Sequence, residues 1–303
     1  MKFKPLHEQV IVITGASSGI GLSTALLAAD RKAKLVLIAR SDNTLSKIAY
    51  EINEAGGDAI AAVADVADKK QLEAAAAKAI DAYGRIDTWV NNAGISIYGT
   101  LQQTSEEDSR RLFDTNFWGV VNGSLVALKY LKVSGGTLIN VGSEVSDAVI
   151  PLQGMYAASK HAVKGYTDAL RVELQIEEAP VSVTLIQPTA VNTPYPQHAR
   201  NYMDKEAALP TPQIEPVQVA EAILDAAINE RRDVAVGSMS KINITVSKLM
   251  PRLGDKMSAQ QVNRMSYDEP PRHPEGALYK PSEESPEVGH TYGSGPLNSA
   301  EKS

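Results

Sequence analysis

The sequence predicts an α/β protein built on a doubly wound parallel sheet of about seven strands, and three observations predict it. Short β-branched runs alternate with longer, alanine-rich segments of helical period through the first 240 residues. Several of these runs, such as residues 10–13, are apolar throughout, which is typical of strands covered by helices on both faces. The chain is also 43% apolar and 22% charged, so it can bury a large single core.

The predicted strands and helices alternate in chain order. The strands cover residues 9–14, 34–40, 58–65, 86–91, 137–143, 181–188 and 233–237. The helices between them cover residues 19–31, 44–55, 69–83, 105–131, 154–178 and 217–229. Because ligands of such sheets bind at the carboxyl ends of the strands, we expect the functional residues at that edge.

The remainder of the chain divides into two parts. Residues 241–265 are predicted to be a helical extension, with an amphipathic helix at 241–257 that Pro251 bends. The sequence leaves three roles open for this helix: packing on the core, covering a substrate pocket, or forming an interface. Residues 266–303 are rich in proline and poor in apolar side chains, so we expect a low-complexity, disordered tail.

The bulk composition argues against several classes of function. A net charge of −6 gives no basic surface for nucleic acid. The chain has no cysteine, and its five histidines never fall in a paired ligand spacing, so we expect no metal site. No apolar run is long enough for a signal peptide or a spanning helix, so we expect a cytoplasmic protein without a transmembrane segment.

A glycine-rich turn follows the first predicted strand and opens the first predicted helix. It reads Thr-Gly-Ala-Ser-Ser-Gly-Ile-Gly over residues 14–21. Glycines let the backbone turn sharply and approach a pyrophosphate, which the free N–H groups at the helix start can bind. An ordinary strand–helix connection is the alternative. The residues expected at the pyrophosphate are Gly15, Ser17, Ser18, Gly19, Ile20 and Gly21.

Two motifs resemble the short-chain dehydrogenase/reductase family. The Thr-Gly-x-x-x-Gly-x-Gly pattern of residues 14–21 is similar to the glycine signature of that family, and Asn-Asn-Ala-Gly at residues 91–94 follows the fourth predicted strand, as it does in the family. The resemblance extends over about residues 8–237. It implies that residues 1–240 form a Rossmann-type catalytic domain that binds a nicotinamide dinucleotide. The cofactor contacts implied in the second motif are Asn92, Ala93 and Gly94.

The end of the second predicted strand bears on which dinucleotide binds. The acidic residue that the family uses for NAD falls at Ala39, and Arg40 follows it. An arginine at this place accommodates the 2′-phosphate of NADP, so we expect NADP(H) rather than NAD(H). Ser18, however, stands where some NADP-preferring relatives have a second basic residue. Asp65 and Val66 resemble the family's adenine-contacting pair; a surface arginine and a plain strand-end aspartate are the alternatives for Arg40 and Asp65.

A tyrosine and a lysine at helical spacing are the central observation. Tyr156 and Lys160 are four residues apart, so both side chains reach one point, where an ammonium would favour the phenolate. In a chain with this many tyrosines and lysines, one such pair is about as many as chance alone would give. The pair by itself therefore does not identify an active site. Ser143 ends the fifth predicted strand thirteen residues earlier (156 − 143 = 13), at the separation that the family uses. A hydroxyl there can donate to a substrate oxygen as negative charge develops on it.

Two further segments resemble the family. Asn116 corresponds to the asparagine that the family uses to hold a proton-relay water, although a buried asparagine also has purely structural uses. Residues 187–194 resemble the family's Pro-Gly-x-Val-x-Thr segment beside the nicotinamide, with Thr189 in place of the glycine. The resemblance assigns Val191 and Thr193 to the cofactor.

Together these residues predict an NADP(H)-dependent oxidoreductase that transfers a hydride between the nicotinamide and a carbonyl or secondary alcohol. Its catalytic residues would be Asn116, Ser143, Tyr156 and Lys160, and the last two would also contact the cofactor. Two alternatives stay open: an epimerase or dehydratase on the same scaffold, and a non-catalytic NADP-binding protein. The resemblance also implies a homodimer or homotetramer assembled through residues 105–131 and 154–178.

Overall fold

The computed structural model describes residues 3–281 and residue 288. Nine strands lie within this part of the chain. They are β1 (Val10–Thr14), β2 (Lys34–Ala39), β3 (Asp58–Val63), β4 (Thr88–Asn91), β5 (Ile97–Tyr98), β6 (Gly136–Val141), β7 (Val181–Pro188), β8 (Arg200–Asn201) and β9 (Asp233–Val236).

Helices connect the strands and cover both faces of the sheet. They are α1 (Gly19–Asp30), α2 (Asp42–Glu54), α3 (Lys69–Tyr83), α4 (Glu106–Phe113), α5 (Gly119–Ser134), α6 (Gly154–Ile176), α7 (Tyr195–His198), α8 (Pro216–Ile228), α9 (Ser238–Leu249) and α10 (Pro251–Gln261). Short 3₁₀ turns lie at Leu6–Glu8, Glu144–Ser146 and Val262–Arg264.

Seven strands form one parallel sheet in the order β3-β2-β1-β4-β6-β7-β9. The direction of winding reverses at β1, because β2 and β3 extend to one side and β4 begins the other. Doubly wound sheets bind ligands at this switch point. The predicted Rossmann-type fold is therefore confirmed, with seven strands in the sheet. The two-residue strands β5 and β8 pair separately, beyond the carboxyl edge of β4.

Successive residues of β1 pack on opposite faces of the sheet, which explains why its sequence is apolar throughout. Ile11 and Ile13 belong to a core shared with α1, α2 and α8. Val10 and Val12 belong to a second core shared with α3, α5 and α6. Each of the four is at most 2% exposed, and burying a side chain of this size stabilises the fold by about 1.5–3 kcal/mol. The two cores hold the carboxyl ends of the strands in place.

The single helix predicted over residues 105–131 is interrupted in the structure. A π-helical turn, Asp114–Trp118, joins α4 to α5. It contains Asn116, which is fully buried. Turns of this wide type occur mostly as single insertions in helices and frequently at functional sites. The interruption therefore falls on a residue that the sequence singled out.

Two helices occupy the region where one bent helix was predicted. α9 ends at Leu249 and α10 begins at Pro251, while Met250 between them has φ −137° and ψ 63°, which is not helical. Pro251 disfavours helical backbone in the residue before it, so the chain breaks rather than bends. None of the described helices is both long enough and apolar enough to span a bilayer.

Residues 266–281, expected to be disordered, are packed against the domain. We call residues 272–281 the C-terminal strap. Leu278 in the strap is fully buried, in a cluster with Ile95, Ile97 and Leu112. One well-buried leucine thus orders a segment whose overall composition is polar and proline-rich.

Main-chain hydrogen bonds also hold the strap. The N–H of Ala277 donates to the carbonyl of His198, and the N–H of Asn201 donates to that of Pro274, both at 2.8 Å. The remainder of the predicted tail, residues 282–303, lies outside the described residues except for residue 288.

Candidate active site

The glycine-rich loop lies directly above the first turn of α1. Gly15 and Gly19 have φ of +66° and +53°, which side chains rarely allow. A Cβ atom on Gly21 would lie 2.1 Å from the carbonyl oxygen of Gly15, so no other residue fits there. Ser18 precedes the helix in an extended conformation, and its side chain makes no capping hydrogen bond. The first N–H groups of α1 are therefore free to bind an anion such as a pyrophosphate.

Asn92 locks this loop to the neighbouring strand. Its Nδ2 donates to the carbonyl oxygens of Thr14, at 3.0 Å, and Gly15, at 3.3 Å. The hydroxyl of Thr14 in turn accepts from the N–H groups of Asn92 and Ala93 at 3.0 and 3.1 Å. The two motifs that resemble the family thus form one hydrogen-bonded unit, with Gly94 at its edge.

The far end of the same cleft lies beyond β2 and β3, at Arg40 and Asp65. Asp65 accepts a hydrogen bond from Arg111 at 2.5 Å, and Val66 follows it in the cleft wall. Burial lowers the pKa of Arg40, and the nearby Asp65 carboxylate offsets part of this effect. Arg40 and Asp65 are therefore neighbours in one charged cluster rather than isolated surface residues.

Arg40 lines the cleft, but the C-terminal strap contacts its guanidinium. The terminal nitrogens donate to three main-chain carbonyls, those of Ala277, Leu278 at 3.3 Å and Lys280 at 3.4 Å. Arg111 donates to the carbonyl of Leu278 as well, at 3.1 Å. A phosphate at this site would therefore share Arg40 with the strap or displace these carbonyls.

Ser143, Tyr156 and Lys160 come together around one cavity. Lys160 Nζ lies 5.7 Å from the centroid of the Tyr156 ring and donates to the carbonyl of Val141 at 2.8 Å. Ser143 follows β6, and its hydroxyl is near enough to Tyr156 to affect the phenol. The cavity that all three line occupies about 790 Å³, including the solvent at its mouth.

Burial dominates the ionisation of this pair. Burial raises the pKa of Tyr156, and the hydroxyls of Tyr195 and Ser143 lower it only part of the way back. Burial lowers the pKa of Lys160 to about 8. This differs from the expectation that the ammonium would make the phenol more acidic, because Lys160 Nζ is hydrogen-bonded to Val141 rather than to the Tyr156 hydroxyl. Tyr156 therefore keeps its proton at neutral pH and is suited to donate it.

Asn116 lies behind Gly94, with its amide fully engaged. Its Oδ1 accepts from the N–H of Ile95 at 2.8 Å, and its Nδ2 donates to the carbonyl of Ile95 at 2.9 Å and to Ser159 Oγ at 3.1 Å. A Cβ on Gly94 would lie 3.5 Å from Asn116 Oδ1 and 3.7 Å from Lys160 Nζ. Asn116 thus positions the chain after β4 against α6, next to the lysine.

The loop after β7 closes the cleft opposite the glycine-rich loop. A Cβ on Gly19 would lie 3.1 Å from Thr193 Cγ2, so the two loops are nearly in contact. Val191 is held by a backbone bridge to Ile214. Thr189, which replaces the family's glycine, is not among the residues with positive φ. The backbone here does not require glycine, so the substitution leaves the loop intact.

The predicted cofactor residues form one continuous surface, except for Gly21, which is buried in α1. The open cleft of about 1270 Å³, including its solvent, is lined by Gly15, Ser17, Ser18, Gly19, Ile20, Arg40, Asp65, Val66, Asn92, Ala93, Gly94 and Thr193. Val191, Tyr156 and Lys160 line the adjoining cavity, which shares Ile20 with the cleft. A free helix N-terminus in the middle and hydrogen-bonding groups at both ends fit an extended dinucleotide.

Several residues of this site escaped the sequence analysis. Arg111 pairs with Asp65, and nothing in its local sequence indicates this contact. Ala277 and Pro281 of the strap line the cleft. Gln153 lines the cavity beside Tyr156, and its place three residues before the tyrosine is the signal that would have found it.

Comparisons with known proteins identify the family of this chain. A family model described as short chain dehydrogenase matches residues 9–204. The uncharacterized oxidoreductase YxnA of Bacillus subtilis is 45% identical to this chain over 284 residues, which cover 92% of this chain and 80% of YxnA.

Two solved structures have similar folds. A short chain dehydrogenase/reductase from Burkholderia phymatum in complex with NAD has a TM-score of 0.74 and 26% identity, covering 84% of this chain and 96% of that one. An alcohol dehydrogenase from the archaeon Thermococcus sibiricus complexed with 5-hydroxy-NADP has a TM-score of 0.67 and 28% identity, covering 77% and 97%. The chain therefore belongs to the short-chain dehydrogenase family of oxidoreductases, whose members act on alcohol and carbonyl groups with a nicotinamide cofactor.

Proposed function

We propose that this protein is an NADP(H)-dependent oxidoreductase that interconverts a carbonyl compound and a secondary alcohol through Ser143, Tyr156 and Lys160. The observation that carries the proposal is the shared cavity of these three side chains at the end of the glycine-rich cleft. A nicotinamide bound there supplies or accepts the hydride at its C4 atom.

Each residue has a distinct task in this proposal. Tyr156 donates a proton to the substrate oxygen during reduction, because burial keeps its hydroxyl protonated. Ser143 hydrogen-bonds the same oxygen as negative charge develops on it. Lys160 Nζ lies 5.7 Å from the centre of the tyrosine ring, and its ammonium would hold the cofactor beside the tyrosine. Asn116 positions the loop that carries Gly94, and its role in proton resupply is part of the proposal.

A Tyr156→Phe variant tests the reaction. We expect turnover to fall about 10²–10⁴-fold, which is the contribution of general acid catalysis, while NADPH affinity stays nearly the same. Tyr166→Phe is the matched control, because Tyr166 lies on the same helix and does not line the cavity. Carbonyl-dependent NADPH oxidation and NADPH titration measure the two properties. Wild-type turnover by Tyr156→Phe would remove Tyr156 from the mechanism.

The preference for NADP rests on two features. Ala39 leaves no acidic group at the end of β2 to bind a free 2′-hydroxyl, and Arg40 lines the cleft there. The relative from Thermococcus sibiricus carries a modified NADP, whereas that from Burkholderia phymatum carries NAD. Membership of the family alone therefore does not decide between NADP and NAD.

An Arg40→Ala variant tests this preference. A hydrogen bond to a charged group contributes about 1.5–3 kcal/mol, so we expect the KM for NADPH to rise about tenfold or more. The KM for NADH should change much less, and the ratio of the two cancels any effect of loosening the strap. Arg110→Ala is the control, since Arg110 pairs only at the surface with Glu106. An unchanged ratio in Arg40→Ala would assign the 2′-phosphate to other residues.

A homodimer or homotetramer and a cytoplasmic location complete the proposal. Exposed apolar side chains on α5, on α6 and in the π-helical turn before α5 support the assembly; they are Trp118, Leu125, Val133, Val172 and Ile176. Light scattering of the purified protein tests the oligomeric state, and subcellular fractionation tests the location.

A further inference from the structure

The cavity beside Ser143 contains polar atoms that the proposed mechanism does not use. Besides the three proposed catalytic side chains, Gln153 and Tyr195 line it. The Nε2 atom of Gln153 and the hydroxyl of Tyr195 are both buried and make no well-aligned hydrogen bond within the protein, although the phenols of Tyr98 and Tyr156 lie near them. Gln153 as a whole is only 4% exposed.

Such atoms need an explanation, because a buried donor without a partner costs about 1–3 kcal/mol. Asn92, Glu144, Thr189 and Thr193 also line the cavity, but none of them makes a well-aligned hydrogen bond to either of these two atoms. A ligand that brings its own hydrogen-bonding atom into the cavity would remove the cost.

Both unpaired atoms belong to side chains that flank the proton donor. Gln153 immediately precedes α6 and lies three residues before Tyr156, and its side chain makes no capping hydrogen bond to the helix. The ring of Tyr195 meets that of Tyr156 edge to face, with 5.5 Å between the ring centroids. A substrate whose carbonyl oxygen contacts Tyr156 therefore places its neighbouring carbon atoms next to these two groups.

The chemistry of the two groups defines what they bind. The amide nitrogen of Gln153 can only donate, and a phenol hydroxyl can donate or accept. The matching group is an oxygen with free lone pairs, either a keto or a hydroxyl oxygen. The rest of the wall is largely apolar, with Val145, Ile150 and Leu209, and suits a short aliphatic body.

Resting on the proposed function, we infer that Gln153 and Tyr195 form a subsite for a second substrate oxygen on the carbon next to the reacting carbonyl. The preferred substrates are then α-dicarbonyls or α-hydroxy ketones, rather than simple ketones.

The test compares substrates that share one carbon skeleton. The probes are pentan-2-one, pentane-2,3-dione, 3-hydroxypentan-2-one and, as the control with a distant oxygen, 5-hydroxypentan-2-one. The variants are Gln153→Met and Tyr195→Phe, which keep the volume and remove the polar atom. Gln175→Met is the matched control, since Gln175 is on the same helix and exposed.

We expect Gln153→Met to lower kcat/KM about tenfold or more for the vicinally oxygenated substrates that the subsite holds, because a site built to hydrogen-bond a substrate oxygen discriminates strongly. Pentan-2-one and 5-hydroxypentan-2-one should change much less. A loss for the dione alone identifies the keto oxygen as the ligand, and a loss for the hydroxy ketone alone identifies the hydroxyl. For each substrate, kcat/KM of the variant is divided by that of the wild type, so the greater intrinsic reactivity of the dione cancels. An equal change for all four substrates overturns the subsite.

A binding measurement separates this inference from the proposed function. If none of the probes is reduced with NADPH or NADH, the proposed function is wrong for these carbonyl compounds. Calorimetric titration of pentane-2,3-diol and pentan-2-ol into the wild-type protein and Gln153→Met still tests the subsite. Tighter binding of the diol that is lost in the variant supports it, and equal binding of the two alcohols overturns it.

Discussion

Lys160 combines a buried charge with a single main-chain acceptor. Its side chain is 4% exposed, and Nζ donates to the carbonyl of Val141. A buried ammonium is costly unless it is compensated, so this residue opposes folding while it serves the proposed reaction.

The pH dependence of stability reveals that cost. Burial lowers the pKa of Lys160 from 10.5 to about 8, so the unfolded chain binds more protons than the folded chain between these values. The penalty is fully present below pH 8 and is lost as the pH rises towards 10.5. The free energy of unfolding of the wild type should therefore rise by about 1 kcal/mol relative to Lys160→Met between pH 7 and 9. Urea titrations at the two pH values measure this difference.

Lys78→Met is the matched control for that experiment. Lys78 Nζ also donates to a main-chain carbonyl, that of Ala61, but at the protein surface. We expect its free energy of unfolding to follow that of the wild type at both pH values. If Lys160→Met also ran parallel to the wild type, the ammonium would not be desolvated as the structure indicates.

Gly21 is a second residue at which one atom decides the local structure. An added Cβ would lie 2.1 Å from the Gly15 carbonyl oxygen and 2.6 Å from Asn92 Nδ2. Gly21→Ala therefore forces the phosphate loop away from α1. We expect the protein to lose about 1–3 kcal/mol of stability and to bind NADPH at least tenfold more weakly. Thermal unfolding and fluorescence titration with NADPH measure the two effects.

Gly165→Ala serves as the comparison for Gly21→Ala. Gly165 lies on α6, and no atom lies within 4 Å of the position of an added Cβ. Alanine should stabilise this helix by about 1 kcal/mol and leave NADPH binding unchanged. Normal binding by Gly21→Ala would show that the loop does not hold the pyrophosphate.

At the level of elements, the sequence predicts the central strands best. β1 and β2 are apolar on both faces because both faces are buried, and this leaves a continuous signal in the sequence. The two-residue strands β5 and β8 leave no such signal, since their pairing depends on residues about a hundred positions apart. Local patterns report burial and period, and they do not report contacts between distant segments.

The same limit applies to the helix that carries Asn116. Its apolar period predicts one continuous helix, whereas the structure inserts the π-helical turn Asp114–Trp118. The turn accompanies the hydrogen bonds of Asn116 to Ile95 and Ser159, which lie on two other elements. The spacing of Tyr156 and Lys160 is readable because both lie on one helix, whereas the place of Ser143 comes from the resemblance to the family.

At the scale of the whole molecule, the C-terminal strap connects parts of the site that are distant in sequence. It hydrogen-bonds the loop at His198 and then reaches Arg40 and Arg111, and Leu278 packs in the cluster that contacts Tyr156. Composition predicted disorder here because it averages over the whole tail and misses one buried leucine. The strap therefore forms a wall of the cleft.

A Leu278→Ala variant tests this role of the strap. Truncating a fully buried leucine costs about 2–5 kcal/mol and removes the apolar anchor of the strap, so the strap should open more often while the sheet stays folded. Chymotrypsin should then cleave after Tyr279 at least tenfold faster than in the wild type, as followed by mass spectrometry. NADPH should slow cleavage of the wild type where its phosphate shares Arg40 with the strap, and should speed cleavage where the phosphate displaces the strap carbonyls from Arg40. Leu249→Ala, at a leucine that is 74% exposed, should behave as the wild type. Equal cleavage rates for Leu278→Ala and the wild type would mean that Leu278 does not anchor the strap.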